Sequence, residues 1–305
     1  VRILITGPSG AVGAALARSL ADSHELRGLS REPSRVPGDL ALELIQGDVL
    51  SGVGLERALE GVEVCYYLIH SMEPSADASF ELRDRTAATR FAAAAAAAGV
   101  RRIVYLGGLL PAADGALSVH LASRVEVERI LLGATAESVA LRASLVIGAR
   151  SRSFRAIVRL IERLPMLPLP PWRRYRTQPI DERDAVAYLV AAAHAEGIGG
   201  RALDIAGPEV LSYEAMIERI TGLLLLSRPT VRVPLLPGAL TSAVAARLSG
   251  QPNELLGPLM RSLGGDLLAD DAPARAAFRV PLHSFDAAVE HALREWEELE
   301  PRALL

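Results

Sequence analysis

The chain has 305 residues, 50% hydrophobic and 23% charged, with a formal net charge of -3 at pH 7. This is the composition of a folded globular chain, long enough for one large core with an attached lobe, and it excludes a disordered one. So weak a net charge sets up no broad field for nucleic acid or anionic lipid, and the single cysteine, Cys65, excludes an internal disulfide framework and a Cys-rich metal site.

In chain order, "VRILIT", "HELRGLS", "ALELIQGD", "EVCYYLI", "RRIVYLGG", "SVALRASLVIG" and "RALDIAG" are short apolar runs that read as buried strands. Helical patterns lie between them over Ala11 to Ala21, Ala78 to Ala98, Val119 to Leu132 and Arg183 to His194. Alternation of this kind predicts an α/β fold with a parallel sheet joined by right-handed crossovers. "FAAAAAAAGV" is low in complexity, yet alanine is the best helix former and Gly99 supplies a favoured stop. Cys65, inside the apolar run "VEVCYYLI", reads as a buried and inert thiol.

Two stretches break the rhythm. "RLPMLPLPPWRRYRTQP" holds too much proline for a helix or a central strand. After Pro208 the pattern is mostly helical and ends in "SFDAAVEHALREWEEL". Together they predict a smaller lobe over the carboxyl ends of the strands, where open α/β sheets bind ligands. The expected division is residues 1–150 with 177–210 as the nucleotide-binding core, and 151–176 with 211–305 as a substrate lobe. Arg228, Pro234 and Pro237 interrupt the apolar region after "LLLL", so no run reaches the length of a membrane span. The opening residues carry no basic segment or cleavage signature, and the expected location is the cytoplasm.

"ITGPSGAVG" follows a strand and opens a helix, the context of a phosphate-binding turn. Gly7, Gly10 and Gly13 permit the turn, and the backbone of Ser9, Ala11 and Val12 is expected to approach a pyrophosphate at the helix N-terminus. The spacing is G-x-x-G-x-x-G, and no Gly-Lys-Ser/Thr follows, which excludes a nucleotide-triphosphate loop. At the end of the second strand Ser30 and Arg31 stand where an NAD site places Asp or Glu. A guanidinium suits a 2′-phosphate, so NADP(H) is expected over NAD(H), although Glu32 adjoins it. In "QGDVL", Asp48 and Val49 end the third strand; Asp48 either faces the adenine or caps a turn.

With these segments in place the chain resembles an atypical member of the extended short-chain dehydrogenase/reductase superfamily, nearest to bacterial NmrA-like and complex-I-associated proteins. "ITGPSGAVG", "YYLIHSM", "LRASLVIG" and "TQPIDERDAVAYLV…DIAGPEVLSYEAM" carry the resemblance. It implies a seven-stranded Rossmann-type, doubly wound sheet and a C-terminal substrate lobe. It also implies dinucleotide contacts at Leu68, Ile69 and His70, at Leu106 and Gly107, and at Ala143, Ser144, Leu145 and Val146.

Active members of that superfamily carry Tyr-x-x-x-Lys on the helix after the fifth strand. Here the helix reads "SVHLASRVEVERIL", placing His120 for the Tyr and Arg124 for the Lys, and the preceding strand ends "YLGGL" without a Ser. Imidazole titrates near neutral pH, so His120 is a candidate general acid and Arg124 a candidate ribose ligand. The plainer alternative is a histidine near a helix start and an arginine paired on the surface with Glu128. His70 reads as a polar pocket wall or a catalyst. In "PWRRYR", aromatics and arginines either line a pocket for an anionic or carbonyl substrate or form a basic loop over Trp172. The expected partners are a dinucleotide and a small apolar carbonyl, quinone or enone, with no nucleic acid; a silent redox sensor and an epimerase-like enzyme are the alternatives.

Overall fold

The protein, seen in a computed structural model, is described over residues 1–69, 80–111, 119–232 and 265–300. From the N-terminus run β1 (Arg2–Thr6), α1 (Ala11–Leu20), β2 (Glu25–Ser30), β3 (Glu43–Gln46), α2 (Leu55–Leu59), β4 (Val64–Tyr67) and α3 (Phe80–Ala97). There follow β5 (Arg102–Gly108), α4 (Val119–Leu132), β6 (Val139–Ala143), β7 (Val146–Ile147), α5 (Arg152–Arg163), β8 (Leu167–Leu169), β9 (Arg176–Thr177) and β10 (Ile180–Asp181). The remainder holds α6 (Glu182–Ala192), β11 (Arg201–Ile205), β12 (Leu211–Ser212), α7 (Tyr213–Leu223), β13 (Thr230–Arg232), α8 (Ala272–Phe278) and α9 (Phe285–Leu299).

The main sheet has seven parallel strands in the order β11-β6-β5-β4-β1-β2-β3. Its central strands β1 and β4 are buried along nearly their whole length because both faces are covered. Ile3 and Ile5 point to the face that buries Leu16 and Leu20 of α1 and Leu189 of α6. Leu4, between them, points to the opposite face with Phe91 of α3 and Val127 of α4. Helix α3 packs Ala88 and, within its alanine run, Ala95 without exposure, and Gly99 follows at φ +74°. Arg27, on β2, is buried yet satisfied: it donates to Glu43 and to the carbonyls of Arg57, Ala58 and Glu60, which a helix as short as α2 leaves open.

A third cluster joins Phe154, Val158 and Ile161 of α5, Tyr213, Met216 and Ile220 of α7, and Phe285, Val289 and Trp296 of α9. Arg155 and Arg159 lie over the Trp296 ring at 4.4 and 4.8 Å.

The seven expected main-sheet strands are all present. "SVALRASLVIG" is nevertheless two strands: β6 stays in the main sheet, while β7 pairs with β10 in a separate ladder. The short α2 and the whole of α5 were absent from the expected pattern. Cys65 is fully buried, which pushes its thiol well above the ordinary range. Among the described residues no helix is long and apolar enough to cross a membrane.

Candidate functional site

The site is built from the carboxyl end of β1 outward. Thr6 donates its hydroxyl to the Tyr66 carbonyl at 3.0 Å and accepts from the Leu68 N–H at 3.1 Å, tying the ends of β1 and β4 together. Gly7 follows at φ +76°, a conformation that glycine adopts without cost. Its carbonyl accepts the Gly10 N–H at 3.0 Å and closes the turn. A Cβ on Gly13 would stand 2.3 Å from that same carbonyl oxygen, so α1 rests backbone-to-backbone on the turn.

Gly10 is different. It is exposed, and a Cβ there would meet nothing nearer than 3.4 Å. As N-cap of α1 it offers no side chain, and the N–H groups of Ala11, Val12 and Gly13 have no acceptor within the helix. An open space at an uncapped helix start favours negative charge, and the turn therefore fits a diphosphate.

Most of the other expected residues gather at this edge. Leu68 and Ile69 flank the turn: a Cβ on Gly7 would lie 3.5 Å from the Leu68 carbonyl and from Ile69 Cγ1. Leu106 and Gly107 are buried near the end of β5. Ala143 ends β6 and accepts the Leu109 N–H at 3.0 Å; Ser144 Oγ donates to the Gln178 carbonyl, and the Leu145 carbonyl accepts from Ile180 at 2.9 Å. Val146 pairs with Ile180. His70 lies outside the described residues, as does the side chain of His120, whose backbone sits in the first turn of α4.

At the end of β2, Ser30 is nearly buried and its Oγ accepts the Glu32 N–H at 3.2 Å, while Arg31 is exposed. The acid that adjoins Arg31 is neutralised, because Arg35 pairs with the Glu32 carboxylate at 2.7 Å. Asp48 performs the turn role: Oδ1 accepts the Leu50 N–H at 3.0 Å and its carbonyl accepts from Gly52 at 2.8 Å. Val49 beside it is buried.

On α4 the arrangement corrects the simple surface picture. Glu128 is 7% exposed and is held bidentately by Arg142 of β6, at 2.8 and 2.6 Å. Arg124 turns to β5, where its charge beside Tyr105 partly offsets the upward push of burial on that phenol. In "PWRRYR" the aromatic part packs inward, with Trp172 edge-on to Tyr213 at 5.9 Å. Arg173 pairs with Glu214 at 2.7 Å and Arg176 with Asp266 at 2.6 Å. Arg174 remains exposed beside the Tyr175 ring.

A family model described as NAD(P)H-binding matches residues 7–144, from the glycine turn to the strand end that faces it. The (4-alkanoyl-5-oxo-2,5-dihydrofuran-3-yl)methyl phosphate reductase of Streptomyces griseus is 29% identical over 228 residues, 72% of this chain and 74% of that protein. Among solved structures, gox2253 superposes with TM-score 0.78 at 20% identity over 98% of both chains. A short-chain dehydrogenase/reductase superfamily protein from Agrobacterium tumefaciens, with bound NAD, superposes with TM-score 0.72 at 20% identity, again over 98% of both. At such identities the superpositions speak for the fold alone; the family model and the reductase carry the match to the sequence itself. Over residues 7–144 the chain matches the NAD(P)H-binding family, and it has the fold of the short-chain dehydrogenase/reductase structures. It binds a nicotinamide dinucleotide and is of the reductase and dehydrogenase kind.

Against the Tyr-x-x-x-Lys pattern of that fold's active members the chain departs in a way visible from a count. The sequence contains no lysine, so all 33 of its basic residues are arginine and no part of the chain can supply the lysine of Tyr-x-x-x-Lys. The tyrosines offer no substitute. Tyr66, Tyr67, Tyr105, Tyr188 and Tyr213 are buried, and burial raises each phenol pKa instead of lowering it. The sixth, Tyr175, sits in the proline-rich segment. This signal was available from the composition.

Proposed function

We propose that the chain is an NADPH-dependent reductase of a small, mostly apolar enone, quinone or carbonyl. One observation carries the reading: the diphosphate turn is intact and open, while the lysine and the tuned tyrosine that serve alcohol and ketone chemistry are missing. A nicotinamide dinucleotide supplies a hydride when bound. In our reading this chain holds the diphosphate at Gly10 to Gly13 and borders the dinucleotide with Leu68, Ile69, His70, Leu106, Gly107 and residues 143–146. Hydride addition to a conjugated acceptor spreads the developing charge, so it needs less from a protein acid than reduction of an isolated ketone. The name of the Streptomyces griseus relative supports this class, for the substrate named there carries a ring double bond conjugated to two carbonyls on one of its carbons.

NADP(H) is the proposed cofactor form. Arg31 is exposed at the end of β2, and the Glu32 carboxylate, which would repel a 2′-phosphate, is already paired with Arg35. His120 is the proposed proton donor, one turn before Arg124 on α4. Residues 151–176 and 211–305 form the proposed substrate lobe.

The same missing lysine favours a second reading, a silent dinucleotide sensor. Oxidation of NADPH followed by absorbance, against a panel of enones, quinones and carbonyls, separates the two. Turnover with any class supports the reductase. Tight NADPH binding with no turnover across the panel overturns it in favour of the sensor.

A further inference from the structure

We propose that His24 and His194 form a site for a late first-row divalent cation such as Zn²⁺ or Cu²⁺, at the sheet edge opposite the dinucleotide. His24 lies in the turn between α1 and β2, and its N–H donates to the Leu20 carbonyl. His194 ends the turn after α6, and its N–H donates to the Ala191 carbonyl. The two residues, 170 apart in sequence, bring their Nε2 atoms to 3.3 Å and their ring centroids to 5.1 Å, with the planes 26° apart.

Those distances are the ones a shared ion imposes. Two imidazole nitrogens at about 2.0–2.1 Å from a tetrahedral Zn²⁺ stand about 3.3 Å apart. The ring centre lies about 1.15 Å behind each nitrogen, so the centroids stand about 5.2 Å apart by the same geometry. In the ion-free protein the two Nε2 atoms share a hydrogen bond, bent because a linear one would put the centroids at about 5.6 Å, and an ion would take the place of its proton.

Among the described residues no group of three or more His, Cys, Asp or Glu could hold a metal, so the protein supplies two ligands and water supplies the rest. Space for them exists. A groove of about 390 Å³ opens beside His24, walled by Glu25, Arg27 and Glu43. His24 Nδ1 is buried with no hydrogen-bond partner, so the ligand lacks the outer support that usually fixes a metal-bound imidazole. That absence, with only two protein ligands, makes for a weak site and selects for ions that favour imidazole.

The test uses the full, untagged chain stripped with chelator, titrated with Zn²⁺ by calorimetry and with Cu²⁺ by electron paramagnetic resonance. One equivalent of Zn²⁺ should bind, and the Cu²⁺ spectrum should show nitrogen coupling. His24→Ala and His194→Ala should each weaken binding by at least the roughly tenfold that losing even an outer-shell partner costs. His291→Ala should leave it unchanged. His194 is exposed, so its substitution tests the site without disturbing the core. NADPH affinity should be the same with and without Zn²⁺. No saturable binding of either ion, or binding that both substitutions leave intact, overturns the proposal.

Discussion

Gly13 and Gly7 are in backbone contact: a single added methyl on Gly13 would stand 2.3 Å from the Gly7 carbonyl oxygen and 3.2 Å from the Pro8 Cα. Neither neighbour is a side chain that can swing away. Gly10, three residues earlier, faces open space with only the Gly7 carbonyl at 3.4 Å. Two substitutions in one turn should therefore behave differently. Gly13→Ala forces α1 off the turn and should lower both stability and dinucleotide affinity, stability by about 1–3 kcal/mol. Gly10→Glu places a carboxylate where the helix start favours one, so the melting temperature should hold while the dinucleotide loses its space. Native NADPH affinity should be micromolar or tighter, about 8 kcal/mol or more. Unchanged affinity in Gly10→Glu by calorimetry would remove the turn from the site.

Arg31 provides the test of cofactor choice. With Glu32 occupied by Arg35, the charge next to the expected 2′-phosphate is positive. Arg31→Asp should weaken NADP(H) by roughly 1.5–3 kcal/mol, the worth of a hydrogen bond to a charged group, and change NAD(H) far less. Competition titrations of the two nucleotides measure this. Equal losses, or a native preference for NAD(H), would place Arg31 outside the pocket.

What the sequence made legible follows from where the physics is local. The central strands of the main sheet announce themselves as apolar runs because both of their faces are covered, and the glycine turn because its residues are consecutive. The break after Ala143 was not legible: it depends on Ser144 and Leu145 bonding to Gln178 and Ile180, 34 and 35 residues further on. Helix α5 did leave a signal, since Phe154, Val158 and Ile161 recur at helical spacing, but arginines between them masked the stripe. Arg124 illustrates the harder case. Its position on α4 could be read from the motif, whereas its contact with Tyr105 required knowing that β5 lies beneath.

Glu182 makes stability depend on pH. Its carboxyl lies against Gly148, where an added Cβ would meet Oε2 at 2.1 Å. Burial first, then Glu295 and Asp181, push its pKa from 4.5 up to about 7 against the opposing pull of Arg150 and Arg18. A raised carboxyl pKa means that the folded state holds the proton more tightly than the unfolded chain. The favourable contribution is thus full below pH 4.5 and is lost as pH rises through about 7. Glu182→Gln fixes the neutral form, so it should stabilise the protein above pH 7 by up to roughly 3 kcal/mol and by much less near pH 5. Urea melts at the two pH values measure the difference. An equal effect at both would show that Glu182 is ionised in the fold throughout.

The last prediction concerns the proton. With no lysine in the chain and the buried phenols raised by their surroundings, a tyrosine donor of the usual kind is unavailable. His120, in the first turn of α4, is the residue we propose in place of that tyrosine. An imidazole starts near 6.5 and not near 10, so it needs no neighbouring cation to reach the working range. If it is the acid, turnover should fall as pH rises through its pKa in the bound complex. His120→Ala should then lower kcat by about 10²–10⁴-fold, the usual share of general acid catalysis. NADPH affinity should stay nearly constant if, as proposed, backbone N–H groups of α1 hold the diphosphate. His120→Gln keeps a hydrogen-bond donor without a titrating proton, and should flatten the pH profile while lowering the rate. A native rate and pH profile retained by both variants would show that water protonates the acceptor, and the reductase would then work by positioning alone.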